Sequence, residues 1–242
     1  MASNVARKPP VWNTGVEVFG RREAVAGLTA CLAAAALLPS SAHAQDAASC
    51  VLTPESGEGP FYFDPELVRV DITERSIGAP LELGIQVVRS GDCATLANAR
   101  VDVWHADAVG FYSGYERQRG TGDPLTSPAG QTYLRGTQFT GQDGRVTFRT
   151  IYPSWYRGRT PHVHFKVFLR DDEVVASQIF FPEDVNNRVF EMVEPYRARR
   201  QRRDTFNEND TFLTGRTGGA FCTVEQRPAG YRASVIVAVR PA

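Results

Sequence analysis

The sharpest chemical signal in the chain is a pair of imidazoles one residue apart, His162 and His164. Across His162–Leu169, Val163, Phe165 and Val167 alternate with His162, His164 and Lys166, the period-two pattern of a strand buried on one face. Residues i and i+2 of a strand leave the same face about 6.5–7 Å apart, so two imidazoles can converge on one cation. Alone, His-x-His is weak evidence, and a satisfied surface pair is the default reading. Its surroundings are denser in reactive types. Pro153–Pro161 enters the strand through a Pro/Gly-rich loop carrying Tyr156, Arg157 and Arg159, and further upstream Trp104–Tyr115 carries His105, Tyr112 and Tyr115. Taken singly, Tyr112 reads as a loop aromatic with Tyr115 as its nearest rival, and Tyr156 as a core-edge aromatic beside Trp155.

The elements that would position these groups are mostly strands. Leu83–Arg89 ends at the turn signal Ser90-Gly91-Asp92. Arg100–His105 alternates, with Val101 and Val103 on one face and Asp102 and Trp104 on the other. Asp143-Gly144 between Thr137–Thr140 and Val146–Thr150 reads as a hairpin turn. Val174–Phe181 and Ser234–Val239 complete the set. Many short strands between Gly/Pro turns predict an all-β fold, a β-sandwich or open barrel of mostly antiparallel strands with long active-site loops. Ser113–Thr132 reads as a long loop that would shape substrate choice. Asn187–Arg203 has helical character and holds Arg197, Arg199, Arg200, Arg202 and Arg203, either a solvated face or a site for an anionic partner.

The 242 residues carry equal numbers of acidic and basic side chains and 42% apolar residues, which gives no push toward nucleic acid or an anionic membrane surface. Arg21-Arg22, the apolar run Ala24–Leu38 and the Ala-x-Ala segment ending at Ala44 follow the order of a secretory signal, with paired arginines that resemble the twin-arginine route. The apolar run is too short for a good membrane span. The expected organisation is a signal peptide at 1–44 and one domain at 45–242, with two more acidic than basic residues after cleavage. Export, periplasmic or extracellular, would permit one disulfide among Cys50, Cys93 and Cys222. Cys50–Cys93 is favoured, because both lie in loop-like surroundings while Cys222 precedes a strand-like ending.

Three segments in order, Asp102–Ser113, Pro153–Tyr156 and Arg159–Phe165, match a D-x-W-H-A-x-x-x-G-x-Y-S stretch, a tyrosine after P-S, and R-x-x-H-x-H-F. In this the chain resembles the intradiol ring-cleavage dioxygenases, the family of catechol 1,2-dioxygenase and protocatechuate 3,4-dioxygenase. Thr53-Pro54-Glu55 and Glu58–Tyr62 resemble the family's entry segment, and the likeness runs from about Cys50 to Val239. It implies a non-haem Fe(III) held by Tyr112, Tyr156, His162 and His164. Phenolate is a hard anionic donor suited to a hard cation, and imidazole completes the set. It implies further that Arg159 lies over the substrate, that Gln178 falls near an active-site glutamine, and that His105 is not a ligand. The expected substrates are a small aromatic diol of catechol type and O2, and the expected product is a muconate-type diacid. Tyr156 would be the axial phenolate that leaves the metal and accepts a substrate proton. The chain shows no counterpart to the N-terminal helical region through which intracellular catechol dioxygenases dimerise, so it looks closer to the secreted, single-domain branch, and a homo-oligomer stays open. Two rival readings are a non-catalytic module of the same fold binding an aromatic or glycan, and a zinc hydrolase built on His162 and His164, which would need a third His or carboxylate ligand.

Overall fold

A computed structural model describes residues 50–116, 118, 128–215 and 218–240. The signal read at 1–44 and the middle of the 113–132 loop lie outside the described residues.

Among the described residues nine strands form two sheets. In chain order they are β1 (Pro80–Arg89), β2 (Arg100–His105), β3 (Arg135–Phe139), β4 (Arg145–Ile151), β5 (His162–Leu169), β6 (Asp172–Phe180), β7 (Ala220–Phe221), β8 (Thr223–Arg227) and β9 (Gly230–Val239). Helix α1 (Glu183–Met192), a 3-10 turn (Tyr196–Ala198) and the one-turn helix α2 (Thr211–Thr214) lie between β6 and β7. One sheet has the order β4-β1-β9-β8 and the other β3-β2-β5-β6-β7. The expected sandwich is present. Its pairs are mostly antiparallel, but β1–β9 and β6–β7 run parallel.

The core follows from alternation. Leu81, Leu83, Ile85 and Val87 of β1, Val235 and Val237 of β9, Val101 and Val103 of β2, and Val163, Phe165 and Val167 of β5 face one another in one apolar cluster. The intervening residues of β2 and β5, including Trp104, His162, His164 and Lys166, therefore emerge on the opposite face of the five-stranded sheet. That face is covered by the segment 53–66. Lys166 pairs with Glu58 and Glu173, Arg100 with Asp64 and Asp102, and the Tyr62 hydroxyl donates to Asp102 at 2.9 Å.

The chain bridges the two sheets at both margins of the sandwich. At one margin the segment 67–72 bonds to Thr137 of β3 (Arg69 N–H to its carbonyl, 3.0 Å) and to Arg149 of β4 (Arg149 N–H to the Val70 carbonyl, 2.8 Å). At the other, β7 pairs with β6 and β8 with β9, with Cys222 alone between them. The turn at Asp143-Gly144 is tight, but it is not a hairpin, because β3 and β4 belong to different sheets. Gly144 has φ +69°, and a Cβ there would lie 2.5 Å from the Val87 carbonyl oxygen. Its turn signal reflects that crossing rather than strand pairing.

Cys50 and Cys93 form a disulfide and Cys222 is a buried free thiol. The arginine run divides. Arg197 pairs with Glu194 on the surface, Arg199 and Arg203 turn inward, and Arg200 and Arg202 are exposed. No helix among the described residues is long and apolar enough to cross a membrane.

Candidate metal centre

Four donor atoms from three places in the chain meet on the covered face. His162 and His164 come from the start of β5, with their Nε2 atoms 3.1 Å apart. Tyr112 comes from the loop after β2, its hydroxyl 3.1 Å from His162 Nε2. Tyr156 comes from the loop before β5, 3.3 Å from the same nitrogen and 3.5 Å from the Tyr112 hydroxyl. Tyr112 and both histidines are at most 2% exposed, and Tyr156 is partly exposed.

These contacts cannot all be ordinary hydrogen bonds. His162 Nδ1 lies 2.7 Å from the Thr160 carbonyl, so that nitrogen carries the proton and Nε2 presents a single lone pair. Three polar atoms crowd that lone pair. A cation about 2.1 Å from each donor would hold neighbouring donors about 3.0–3.4 Å apart, close to the spacings observed. The residues thus fit a metal ion. Burial, then the Arg159 charge, pushes the pKa of both His162 and His164 well below the usual histidine value, so both are neutral and ligation-competent. Burial raises the pKa of Tyr112 and Tyr156, with Arg159 opposing in both cases. Both phenols stay protonated until a cation arrives to favour phenolate.

The two imidazoles are held differently. His162 has the Thr160 carbonyl behind it. His164 Nδ1 is buried with no hydrogen-bond partner, and its ring is instead stacked on Trp104, centroids 5.0 Å apart and 8° from parallel. Trp104 is the cross-strand partner of His164. Gly59 closes over the same ring, where a Cβ would come within 3.2 Å of His164 Cε1.

Arg159 and Gln178 join the cluster. Arg159 Nη1 donates to the Tyr156 hydroxyl at 3.4 Å, Nη2 to Gln178 Oε1, and Nε to Asp210 Oδ2 at 3.1 Å, while the guanidinium lies 4.0 Å from the Phe212 ring centroid. Gln178 on β6 pairs with His164 on β5 and so shares its face. His105 stays apart, bonded to the Ala106 carbonyl and Thr150 Oγ1. Sequence reasoning missed Asp210, which is fully buried and also accepts from Thr160 N at 2.8 Å and Phe212 N at 2.9 Å. Its signal was that of a helix N-cap in Asn209-Asp210-Thr211.

Among the described residues no group of three His, Cys, Asp or Glu side chains is placed to hold a metal. A cavity of about 690 Å³ beside the Tyr112 loop is lined by Asp107, Ala108, Val109 and Tyr133 but by none of the donors. The chemistry of the donors, not hollow volume, marks the site.

Fold and site together define a β-sandwich protein in which two tyrosines and two histidines converge on the covered face of the five-stranded sheet in a set that fits a metal ion. A family model described as Dioxygenase matches residues 58–202, which include all four donors, Arg159 and Gln178. Catechol 1,2-dioxygenase 1 of Acinetobacter lwoffii is 33% identical over 108 residues, 43% of this chain and 32% of that protein. Hydroxyquinol 1,2-dioxygenase of a Rhizobium species is 32% identical over 111 residues, 38% of this chain and 35% of that protein. The matched stretch thus spans about a third of the length of these curated relatives. A solved intradiol ring-cleavage dioxygenase from Tetranychus urticae is 30% identical, with a TM-score of 0.70 over 79% of this chain and 96% of that one. The chain belongs to the intradiol ring-cleavage dioxygenase family.

Proposed function

We propose that this protein is a non-haem Fe(III) enzyme that opens a catechol-type ring between its two hydroxyls, placing both atoms of O2 in a muconate-type diacid. The observation that carries the reading is the convergence of four donors, two phenolic and two imidazole, in which three atoms crowd the single lone pair of His162 Nε2, room for one hydrogen bond only. When bound, a ferric ion would supply Lewis acidity toward the diol oxygens.

The chain's own residues account for the remaining tasks. Tyr156 is the more exposed phenol, and its oxygen, as phenolate once a cation is bound, would take a proton from an incoming diol, so no carboxylate base is required. Arg159 is held on three sides by Asp210, Gln178 and Tyr156, and offers a fixed positive charge to anion developing on the ring. Gln178 Nε2, buried and without a partner, remains available as a donor to a bound ligand. The segment 58–62 and Trp104 keep water from the histidine side.

Export to an oxidising compartment is part of the proposal. It is supported by the leader pattern at 1–44 and the Cys50–Cys93 bond, which suits such a compartment. Two measurements test these readings. The visible spectrum of the purified protein should show a broad ferric-tyrosinate band that shifts when catechol is added under nitrogen, followed by O2 uptake on admitting air. A protein that stays colourless after ferric loading would leave only the ligand-binding module. Mass spectrometry of the periplasmic and secreted fractions should find a chain beginning at Gln45, and recovery only of uncleaved cytoplasmic protein would end the export reading.

A further inference from the structure

One buried carboxylate reaches the site along two routes. Asp210 Oδ2 accepts from Arg159 Nε at 3.1 Å and from the Thr160 amide at 2.8 Å, while its Oδ1 accepts from the Phe212 amide at 2.9 Å. Each contact leads onward. With Nε held by Asp210, the Arg159 guanidinium turns its terminal nitrogens to the Tyr156 hydroxyl and to Gln178 Oε1. Phe212, held by the other carboxylate oxygen, sets its ring against the same guanidinium, with the centroid 4.0 Å from Arg159 Cζ. Thr160 offers its carbonyl to His162 Nδ1 at 2.7 Å, the bond that turns Nε2 toward the cluster. The Thr160 hydroxyl is fixed from the same side, donating to Asn207 Oδ1 at 2.8 Å and accepting from Arg203 Nη2 at 2.7 Å. Asp210 lies beyond residues 58–202, the stretch that the family model matches.

We propose that Asp210 is a positioning residue whose single carboxylate sets both the aim of the Arg159 charge and the orientation of His162. The inference rests on reading Arg159 as the group that meets anionic charge on the substrate and His162 as a metal ligand. A carboxylate suits the task because both of its oxygens accept. An amide of the same shape has one acceptor. Asparagine there would turn its NH2 either on the Arg159 and Thr160 N–H groups or on the Phe212 amide, donor against donor. The ion pair is also buried, its side chains 11% and 0% exposed, so losing the carboxylate strips the guanidinium of that counter-charge where water hardly reaches. A catalytic group misplaced by about 1 Å can lose about 100-fold in rate. Groups that orient a metal-bound histidine typically change metal affinity by about 10–100-fold when replaced.

The test uses the full chain as wild type, Asp210→Asn and Asp210→Glu. Metal-free protein is titrated with Fe(III) against citrate, following the visible band. Iron-loaded protein is assayed with catechol for KM and for kcat per bound iron, with thermal melting in parallel. Asp210→Asn is expected to bind ferric ion about tenfold more weakly. Its kcat per bound iron should fall about 10–100-fold while KM moves less than about threefold, the signature of an interaction made in the transition state. A merely structural residue would lower the melting point and leave the rate per bound iron unchanged. Either ferric affinity or kcat per bound iron within about twofold of wild type would therefore overturn the joint role, whatever the melting point. If Asp210→Asn does not fold, Asp210→Glu, which keeps the charge and displaces both oxygens by one methylene, is judged by the same limits. A wild-type chain that takes up no ferric ion, or takes it up and leaves catechol intact, would overturn the reading of the site and this inference with it. An active wild type with unchanged variants would overturn this inference alone.

Discussion

The two loops that deliver the phenols are built on opposite principles. The Tyr112 loop is locked by short contacts from the body of the sandwich. Arg135, 1% exposed, donates to Ser113 Oγ at 2.9 Å and to its carbonyl at 2.8 Å, Ser113 Oγ donates to the Tyr133 carbonyl, and Phe61 stacks on the Tyr112 ring at 4.7 Å. The Tyr156 loop is held at arm's length. Arg199 reaches Ser154 and Trp155, Arg203 reaches the Thr160 hydroxyl, and Asp210 reaches Arg159 and the Thr160 amide, all from beyond α1. One phenol is embedded and the other is partly exposed on charged struts. In the proposed function Tyr156 would take a substrate proton, and a partly exposed phenol on reaching side chains is the support that such a movement would need.

Removing each phenol tests this contrast most severely. Tyr112→Phe and Tyr156→Phe should each lower kcat for catechol by about 10²–10⁴-fold. Only Tyr112→Phe should also strip most of the iron, read by metal analysis after dialysis. Equal iron loss in both variants would erase the distinction.

The next effect concerns the base of the Tyr112 loop. Burial is the main cause that lowers the pKa of His105 to about 4. The folded value lies below the unfolded one of about 6.5, so the unfolded chain takes up the proton first. Stability is therefore complete above about pH 6.5 and falls by up to about 3 kcal/mol as pH drops toward 4. The same direction holds for His162 and His164 in the metal-free protein. Urea unfolding of metal-free protein across that range should show the decline, and a flat profile would mean these rings are not held neutral.

Two smaller substitutions weigh the supports. Arg135→Lys keeps a charge but loses the fork on Ser113 and the contact with the Phe63 ring, 4.3 Å from the guanidinium. It should cost about 2 kcal/mol, seen as a melting point lower by about 4–8 °C. Ser154→Ala removes one of several contacts on the Tyr156 loop and should cost about 0.5–1 kcal/mol. If Ser154→Ala proved the costlier of the two, the embedded and strutted loops would have been assigned the wrong way round.

Much of this was legible from alternation. The face shared by His162, His164 and Lys166, the opposing face of Val163, Phe165 and Val167, and the limits of β2 and β5 follow from side-chain period alone. Register does not. That Trp104 stacks on His164, and that Gln178 stands opposite it, depends on how β2 and β6 are aligned against β5, which the tertiary fold fixes. The short β7 and polar β8 carry too little hydrophobic pattern to be seen. The arginine run had no sequence marker separating Arg199 and Arg203, which turn inward, from Arg200 and Arg202, which face solvent. Asp143-Gly144 announced a turn correctly but could not say which sheet each flanking strand would join.

The pairing of β1 with β9 has a consequence for the order in which the molecule assembles. These are the two central strands of their sheet, and they come from opposite ends of the described domain. The histidine-bearing strand, by contrast, forms a local antiparallel pair with β6 across a tight turn. Contacts close in sequence form sooner than distant ones, and domains take shape as the ribosome delivers them. The donor half can therefore begin to organise while the other sheet waits for Val239 to be synthesised, and the apolar back of β5 has no full cover until then. A nascent chain stalled before Gly230 would hold its two imidazoles in place on a sheet that is still open to solvent and to chaperones.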